Sequence, residues 1–85
     1  MARTEDQRRE LLALGQAIRE LRTERNMSAA ELAAACGFTP RRMGSLEAGR
    51  VDPNYGGLVA LTRGLGVKAS ELLGRTDTNA KAGDA

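Results

Sequence analysis

The chain has no histidine and only one cysteine, Cys36. A disulfide needs two cysteines and an ordinary zinc site draws on cysteine and histidine, so both are excluded within one chain. We expect no metal and no other cofactor. The first ten residues are polar, and no apolar run approaches the ~20 residues that span a bilayer, so we expect a cytoplasmic protein with no membrane partner.

Aromatic residues are also scarce, with one Phe and one Tyr in 85 residues. The core must therefore come from Leu, Ile, Val, Met and Ala, most of which favour helices. No β-branched run alternates with a period of two, which argues against strands. The length allows one small domain and leaves no room for the scaffold that most enzymes need, so we expect no catalytic residues and no enzyme activity.

The charges are nearly balanced, with 13 basic and 11 acidic residues and a net charge of +2. Charged residues at 28% and hydrophobic residues at 41% suit a folded domain, not a disordered acidic or basic tail. The total charge alone does not indicate a nucleic-acid partner, so the position of each charge must carry that argument.

Capping patterns predict where the first three helices begin. Thr4 and the glutamine three residues later fit a capping box that starts the first helix. The second helix, over about 28–36, begins with an S-x-x-E box at Ser28 and ends before a glycine placed as a left-handed C-cap. The third, over about 39–48, has Thr39 as its N-cap. Only two residues separate the second and third helices, which predicts a helix-turn-helix crossing and not an antiparallel hairpin.

Two further helices are predicted after a short loop. The fourth covers about 54–63, with Asn54 as its cap and Tyr55 in the inward apolar series that continues to Leu65. The fifth covers about 69–73 and closes at a glycine. The residues from 75 to 85 include no large apolar side chain, so we expect a disordered tail there.

The predicted organisation is therefore one domain with two flanking segments. Residues 1–10 form a partly helical N-terminal extension, residues 11–74 form the helix-turn-helix domain, and residues 75–85 form the disordered tail.

Five stretches of sequence carry a resemblance to a known family. They read LGQAIRELR, MSAAELA, CGFTPRRMGSLEAG, DPNYGGLVAL and LGVKASELL, in this order between about Leu14 and Leu73. This part of the chain resembles the lambda repressor and Cro type of helix-turn-helix domain, also called the xenobiotic-response-element family. The resemblance implies an all-α, compact five-helix fold whose third helix, the recognition helix, enters the major groove of DNA.

The third helix divides into two faces at about 100° of rotation per residue. One face is mostly apolar and carries Met43, Leu46 and Glu47. The opposite face is small and basic, with Pro40, Arg41, Gly44 and Ser45, and Arg42 lies at the border. A recognition helix needs this division, because one face packs on the core while the other meets base edges.

The outward face supplies the candidate base contacts, which are Pro40, Arg41, Arg42, Gly44 and Ser45. Arg41 is the main candidate, since its guanidinium can donate two hydrogen bonds to guanine. Arg42 contacts a phosphate or a second base, or it stacks over the core. Gly44 either permits a close approach of the backbone to DNA or marks a face that reads few bases, and we favour the latter.

Candidate phosphate contacts lie at helix starts and after the third helix. They are Ser28, Ala29, Thr39, Arg42 and Arg50. Two alanines depart from the family, which often has glutamine in place of Ala29 and a polar residue in place of Ala48. Alanine cannot donate a side-chain hydrogen bond, so at Ala29 only the backbone N–H remains for a phosphate.

The resemblance also implies a structural ion pair between Arg22 and Glu47, which would tie the first helix to the third. Cys36 falls on an apolar face where the family usually has Val or Leu, so we interpret it as a small core residue. A redox sensor would need an exposed, activated thiolate, which nothing in the sequence supplies.

We therefore expect a sequence-specific DNA-binding transcriptional regulator that associates with the nucleoid. It would bind double-stranded DNA as a homodimer on a palindromic operator with half-sites ~34 Å apart. The dimer surface is either the fourth and fifth helices, with Leu72 and Leu73, or the first helix, with Leu11 and Leu12. The alternative function is a protein-interaction module of the same fold, antitoxin-like or regulator-binding.

Overall fold

The structure, a computed structural model, describes residues 3–84 of the 85-residue chain. Its elements are α1 (Glu5–Glu24), α2 (Ala29–Cys36), α3 (Pro40–Glu47), α4 (Asn54–Leu65) and α5 (Ala69–Asp84). No strand occurs over the described range, so the predicted all-α, five-helix fold is confirmed. None of these helices is long and apolar enough to cross a membrane. Within the same range no cluster of three potential metal ligands is found.

Side-chain caps begin the first three helices, as predicted. The Thr4 hydroxyl accepts from the N–H of Gln7 at 3.1 Å, and the Gln7 side chain accepts from the N–H of Thr4 at 2.9 Å. Ser28 and Glu31 make the same reciprocal pair at the start of α2. Thr39 accepts from the N–H of Arg42 and so caps α3. Each cap satisfies amide groups that have no partner inside their helix, which fixes the helix start.

The core is built from aliphatic side chains of all five helices, and α1 packs against each of the other four. Its largest fully buried members are Ile18, Leu21, Leu32, Met43, Leu46, Leu61, Leu72 and Pro53. Met27 and Phe38, which precede the caps of α2 and α3, are half-buried against this cluster. The scarcity of aromatic residues therefore leaves a core of Leu, Ile and Met.

Cys36, predicted as a small core residue, is half-buried at the edge of the core. Its side chain packs against the apolar cluster, and a Cβ atom on Gly64 of α4 would lie 2.5 Å from the Cys36 Sγ. Desolvation raises the pKa of the Cys36 thiol, which disfavours the reactive thiolate. The thiol therefore acts as a small apolar group where α2 and α4 make close contact.

The turn between α2 and α3 has the predicted geometry. Gly37 adopts φ 76° and ψ 25°, the left-handed conformation of a helix C-cap, and its N–H donates to the carbonyls of Ala33 and Ala34. Phe38 then donates its N–H to Ala33 O at 2.8 Å. Three residues, 37–39, thus connect α2 to α3, a connection of the length that helix-turn-helix motifs use.

The prediction that Tyr55 packs inward is wrong, because Tyr55 is 82% exposed. The buried residues of α4 are Gly57, Leu61 and Leu65, a spacing of four that puts Tyr55 on the opposite side. Asn54 has φ 58°, and its Oδ1 accepts from the N–H of Gly57 at 2.9 Å, so its predicted capping role is confirmed.

The predicted tail is also wrong over the described residues, because α5 continues through the glycine at 74 to Asp84. Contacts with α1 stabilise the extension. Arg75 donates to Glu24 at 2.7 Å and to Glu20 at 3.4 Å, and Asn79 Nδ2 donates to Ala13 O at 3.3 Å. Residue 85 of the predicted tail and residues 1–2 of the predicted extension lie outside the described part of the chain.

Candidate nucleic-acid interface

Helix α3 separates apolar from exposed side chains as its sequence predicted. Met43 and Leu46 are fully buried, with 0% and 1% exposure. Pro40, Arg41 and Gly44 are exposed on the other side. Ser45 is half-buried, so the outward face is open at its N-terminal end and partly covered further along.

Arg41 is the residue of this face that is free to bind a ligand. It occupies the second position of α3 and is exposed. No hydrogen bond, ion pair or ring contact engages its side chain over residues 3–84. All of its guanidinium N–H groups can therefore donate to an incoming acceptor such as the O6 and N7 of guanine.

Arg42 differs from Arg41, because its guanidinium is held by a contact within the protein. The guanidinium carbon lies 4.1 Å from the centroid of the Phe38 ring, a cation–π stack. A Cβ atom on Gly57 would lie 3.2 Å from Arg42 Nη2, so the guanidinium also borders the first turn of α4. Of the alternatives for Arg42, the stacked arrangement is the one that this structure contains.

Gly44 leaves an open surface in the middle of α3. A Cβ atom on this glycine would meet nothing within 4 Å. Packing inside the molecule therefore does not require glycine here. The missing side chain at Gly44 affects only the stability of the helix or the contact with an external partner.

The three candidate phosphate contacts at helix starts are already engaged in capping or packing. The side-chain oxygens of Ser28 and Thr39 accept backbone hydrogen bonds, which leaves their hydroxyl hydrogens to donate. Ala29 is half-buried against the core. The carboxylate of Glu31 accepts from the N–H of Ser28, and this hydrogen bond lowers the pKa of Glu31. A phosphate at Ser28 would therefore meet a negative charge.

Arg50 lies in the loop after α3 and is exposed. Its N–H donates to Ser45 O at 3.0 Å, while Gly49 before it adopts φ 73°. A Cβ atom on Gly49 would lie 2.9 Å from Leu12 Cα, so this turn packs directly on α1. The backbone of Arg50 is thus held while its side chain extends to solvent.

The contact between Arg22 and Glu47 is present and joins α1 to the end of α3. Arg22 Nε donates to Glu47 Oε2 at 2.6 Å, and Nη2 donates to Oε1 at 3.0 Å. Arg22 Nη1 also donates to Met27 O at 3.1 Å, in the loop before α2. The hydrogen bond to Glu47 raises the pKa of Arg22 and outweighs desolvation, which lowers it. One guanidinium therefore connects α1, the α2 entry and α3.

Three residues that shape this surface were missed from the sequence. Phe38 was not among the predicted site residues, although its ring stacks against the guanidinium of Arg42. Gly57 lies on the inward side of α4, and Gly15 allows α1 to approach the end of α3. A glycine carries no apolar signal, so no pattern in the sequence indicated either of these packing positions.

Comparison with known proteins places this geometry in a family. A family model described as a helix-turn-helix domain matches residues 13–73. The chain is similar to the restriction-modification controller protein C.AhdI from Aeromonas hydrophila, with 31% identity and a TM-score of 0.71 over 73% of this chain and 94% of that chain. A comparison with curated protein sequences gave no match.

The clp gene regulator ClgR from Corynebacterium glutamicum is a second similar structure. One crystal structure of it gives 28% identity and a TM-score of 0.77, over 81% of this chain and 90% of that chain. Another gives 25% identity and a TM-score of 0.84, over 88% of this chain and 80% of that chain.

The matched region, residues 13–73, runs from the middle of α1 into α5 and contains α2, the tight turn and α3. It thus includes both the buried and the outward faces of the third helix. The chain belongs to the helix-turn-helix family, with the lambda repressor and Cro type of fold.

Proposed function

We propose that the protein is a sequence-specific, DNA-binding transcriptional regulator that reads double-stranded DNA with α3 in the major groove. One observation carries the proposal: near the N-terminus of a helix that buries Met43 and Leu46 on its opposite side, Arg41 is exposed and has no side-chain partner within residues 3–84. A free guanidinium at this place can recognise guanine through two hydrogen bonds, worth ~1–3 kcal/mol of discrimination.

The other residues of the interface have graded roles. Ser45, half-buried on the same face, offers a short polar contact, Pro40 contributes to the shape of the helix start, and Gly44 leaves an open surface that reads no base. Arg50 contributes a solvated charge for a phosphate beside the groove. Ser28 and the N–H of Ala29 are weaker phosphate contacts, because the Ser28 end of α2 carries the ionised Glu31. Thr39 offers a phosphate only its hydroxyl hydrogen, since its oxygen accepts from the N–H of Arg42. We therefore expect modest sequence specificity that depends mainly on Arg41.

We propose further that the protein binds as a homodimer through α4 and α5. Leu72 is fully buried in the core and cannot take part. Tyr55 and Leu73, which are 82% and 48% exposed, border an apolar groove that also includes Leu58. A self-complementary contact across this groove would remove their apolar surface from water. A symmetric dimer would bind a palindromic operator with half-sites ~34 Å apart.

The test is selection of binding fragments from a random DNA pool at about 150 mM salt, an ionic strength at which weak surface attraction is screened. Wild type, Arg41→Ala and Arg63→Ala are compared. Arg63 is a matched control, since it is an exposed arginine in the last turn of α4. We expect wild type and Arg63→Ala to enrich the same palindrome, and Arg41→Ala to lose preference at a guanine within it.

A second candidate function is a protein-interaction module of the same fold. The observation in its favour is the apolar groove at Tyr55 and Leu73, together with Ala29 and Ala48, which have no side-chain donor for a phosphate. If folded wild type enriches no DNA, the DNA-binding proposal is overturned and this second function is favoured.

A further inference from the structure

We infer that Phe38 is a positioning residue for DNA binding, which fixes Arg42 as a ligand of the phosphate backbone and keeps it from reading bases. This inference rests on the proposed DNA binding and deepens it. Phe38 packs partly on the core and presents one ring face to the guanidinium carbon of Arg42, 4.1 Å from the ring centroid.

The stack leaves the recognition chemistry of Arg42 intact. A cation–π contact uses the flat face of the guanidinium, whereas its N–H donors lie in the plane and point outward. No carboxylate pairs with Arg42 in the described chain, and its side chain is exposed. The charge is therefore held in place and remains available to an anion, and the planar fork matches the geometry of a phosphate.

The direction of the guanidinium separates it from the base-reading face. Arg42 Nη2 would lie 3.2 Å from a Cβ atom on Gly57, so the group extends toward the first turn of α4. Arg41 has no such contact and extends freely from α3. Two adjacent arginines thus have different surroundings: Arg41 is exposed on the outward face of α3, whereas Arg42 is held at the border between α3 and α4.

Gly57 is part of this arrangement. It is buried, and a side chain there would meet Pro53 Cβ at 3.0 Å as well as Arg42 Nη2. The missing side chain at Gly57 leaves the space that the stacked guanidinium borders. Since the ring and this space both exist before any ligand arrives, Arg42 loses little conformational freedom when it binds.

The first measurement tests the stack in free protein by NMR. Protons on the Arg42 side chain should shift upfield through the ring current of Phe38. This shift should vanish in Phe38→Leu and persist in Phe38→Tyr, which keeps an aromatic face. Absence of the shift in wild type would overturn the inference without reference to DNA.

The second measurement is the salt dependence of binding to the selected palindrome, with Phe38→Leu, Arg42→Ala and the double variant compared. The logarithm of the affinity falls linearly with the logarithm of the salt concentration, and Arg42→Ala should make this line less steep. The slope should shrink in magnitude by about 0.9 for each protomer bound, because one phosphate contact is lost. Phe38→Leu alone should weaken DNA binding about two- to five-fold per protomer. Combined with Arg42→Ala, it should have no further effect. Phe38→Tyr should restore wild-type affinity.

The base preference gives the decisive comparison. It should be unchanged in Arg42→Ala and Phe38→Leu, whereas Arg41→Ala changes it. A change of base preference in Arg42→Ala would overturn the assignment to phosphate. An equal loss of affinity from Phe38→Leu with and without Arg42 would show that Phe38 acts only through the fold. If wild type itself binds no DNA, the proposed function fails, and this inference fails with it.

Discussion

The backbone of α1 at Gly15 lies directly against the Leu46 carbonyl at the end of α3. A Cβ atom on Gly15 would stand 2.7 Å from Leu46 O, closer than real Cβ atoms approach any atom. The Glu47 carbonyl lies on the same side of this glycine. The recognition helix is thus seated on α1 through backbone contact, and its position depends on the absence of one methyl group.

Gly15→Ala should therefore destabilise the fold, although alanine favours a helix more than glycine does. The neighbouring atoms are backbone atoms and cannot rotate away, so α3 must shift, at a cost of roughly 1–3 kcal/mol for overpacking. Urea unfolding followed by circular dichroism measures the effect. A variant as stable as wild type would contradict this account of the α1–α3 contact.

Gly44→Ala should have the opposite effect on stability. Its Cβ atom meets nothing within 4 Å, so the better helix propensity of alanine should stabilise the protein by ~0.5–1 kcal/mol. We also expect its DNA affinity to equal that of wild type, because we favour a face that reads few bases. A large loss of affinity in this more stable variant would instead indicate a close approach of the backbone to DNA at Gly44.

Glu47→Ala should be strongly destabilising, because it leaves the Arg22 guanidinium without its charged partner. The side chains of Arg22 and Glu47 are only 18% and 8% exposed, and removing the charged partner of such a partly buried donor costs ~1–3 kcal/mol. Arg19→Ala is the matched control. Arg19 lies 3.8 Å from the same carboxylate but is 63% exposed, so its loss should cost ~1 kcal/mol or less. Equal effects of the two substitutions in urea unfolding would disprove the stabilising role of the Arg22–Glu47 pair.

The sequence predicted those parts of the fold that depend on neighbours in the chain. The caps at Ser28 and Thr39 bond to residues three positions away, so their pattern is visible locally. The length of α5 is not visible in this way. Its extension is held by Glu20, Glu24 and Ala13 O, which lie on α1 more than fifty residues earlier.

The same reasoning explains the error in α4. The sequence pattern chose Tyr55 as the inward residue because it is the only large apolar side chain in the first turn. The true inward residue is Gly57, whose place is set by contacts with Pro53 and Arg42 and by the hydrogen bond from its N–H to Asn54. On the candidate DNA-binding surface, the division of α3 into two faces could be predicted from the sequence. The different surroundings of Arg41 and Arg42 could not be predicted, because they depend on how α3 packs against α4.

Arg75→Gln should lower the stability of the folded protein by an amount that depends on pH. The hydrogen bond from Arg75 lowers the pKa of Glu24 in the folded protein, relative to about 4.3 in the unfolded chain. A carboxyl with a lowered folded pKa adds stability above the unfolded value and loses it as the pH falls through the folded value. The melting temperature of Arg75→Gln should therefore lie furthest below that of wild type near neutral pH. This difference should shrink below about pH 4.

Lys81→Gln is the matched control for this pH effect. Lys81 is exposed on α5 and has no described partner, so its loss removes the same charge without the contact to α1. Its melting temperature should follow that of wild type across the titration. A difference between Arg75→Gln and wild type that persists unchanged at acid pH would contradict the role of Glu24.

Leu73→Glu should convert the proposed dimer to a monomer, whereas Leu12→Glu should not. Leu73 adjoins two apolar depressions between α4, α5 and α1, and Tyr55 beside it is 82% exposed. Leu12 is 58% exposed, but beside Ala48 its surroundings include the polar side chains of Gln16, Arg19 and Glu47. Burial of a carboxylate in the apolar groove would cost several kcal/mol, and at Leu12 the new charge would remain in water.

Sedimentation equilibrium at several concentrations, with circular dichroism to verify folding, distinguishes the two surfaces. Wild type and Leu12→Glu should have twice the 9.0 kDa mass of the chain, whereas folded Leu73→Glu should have the mass of a single chain. Dissociation by Leu12→Glu alone would move the interface to α1. A monomeric wild type would refute the homodimer, and because each operator half-site would then be bound independently, the requirement for a palindrome would disappear with it.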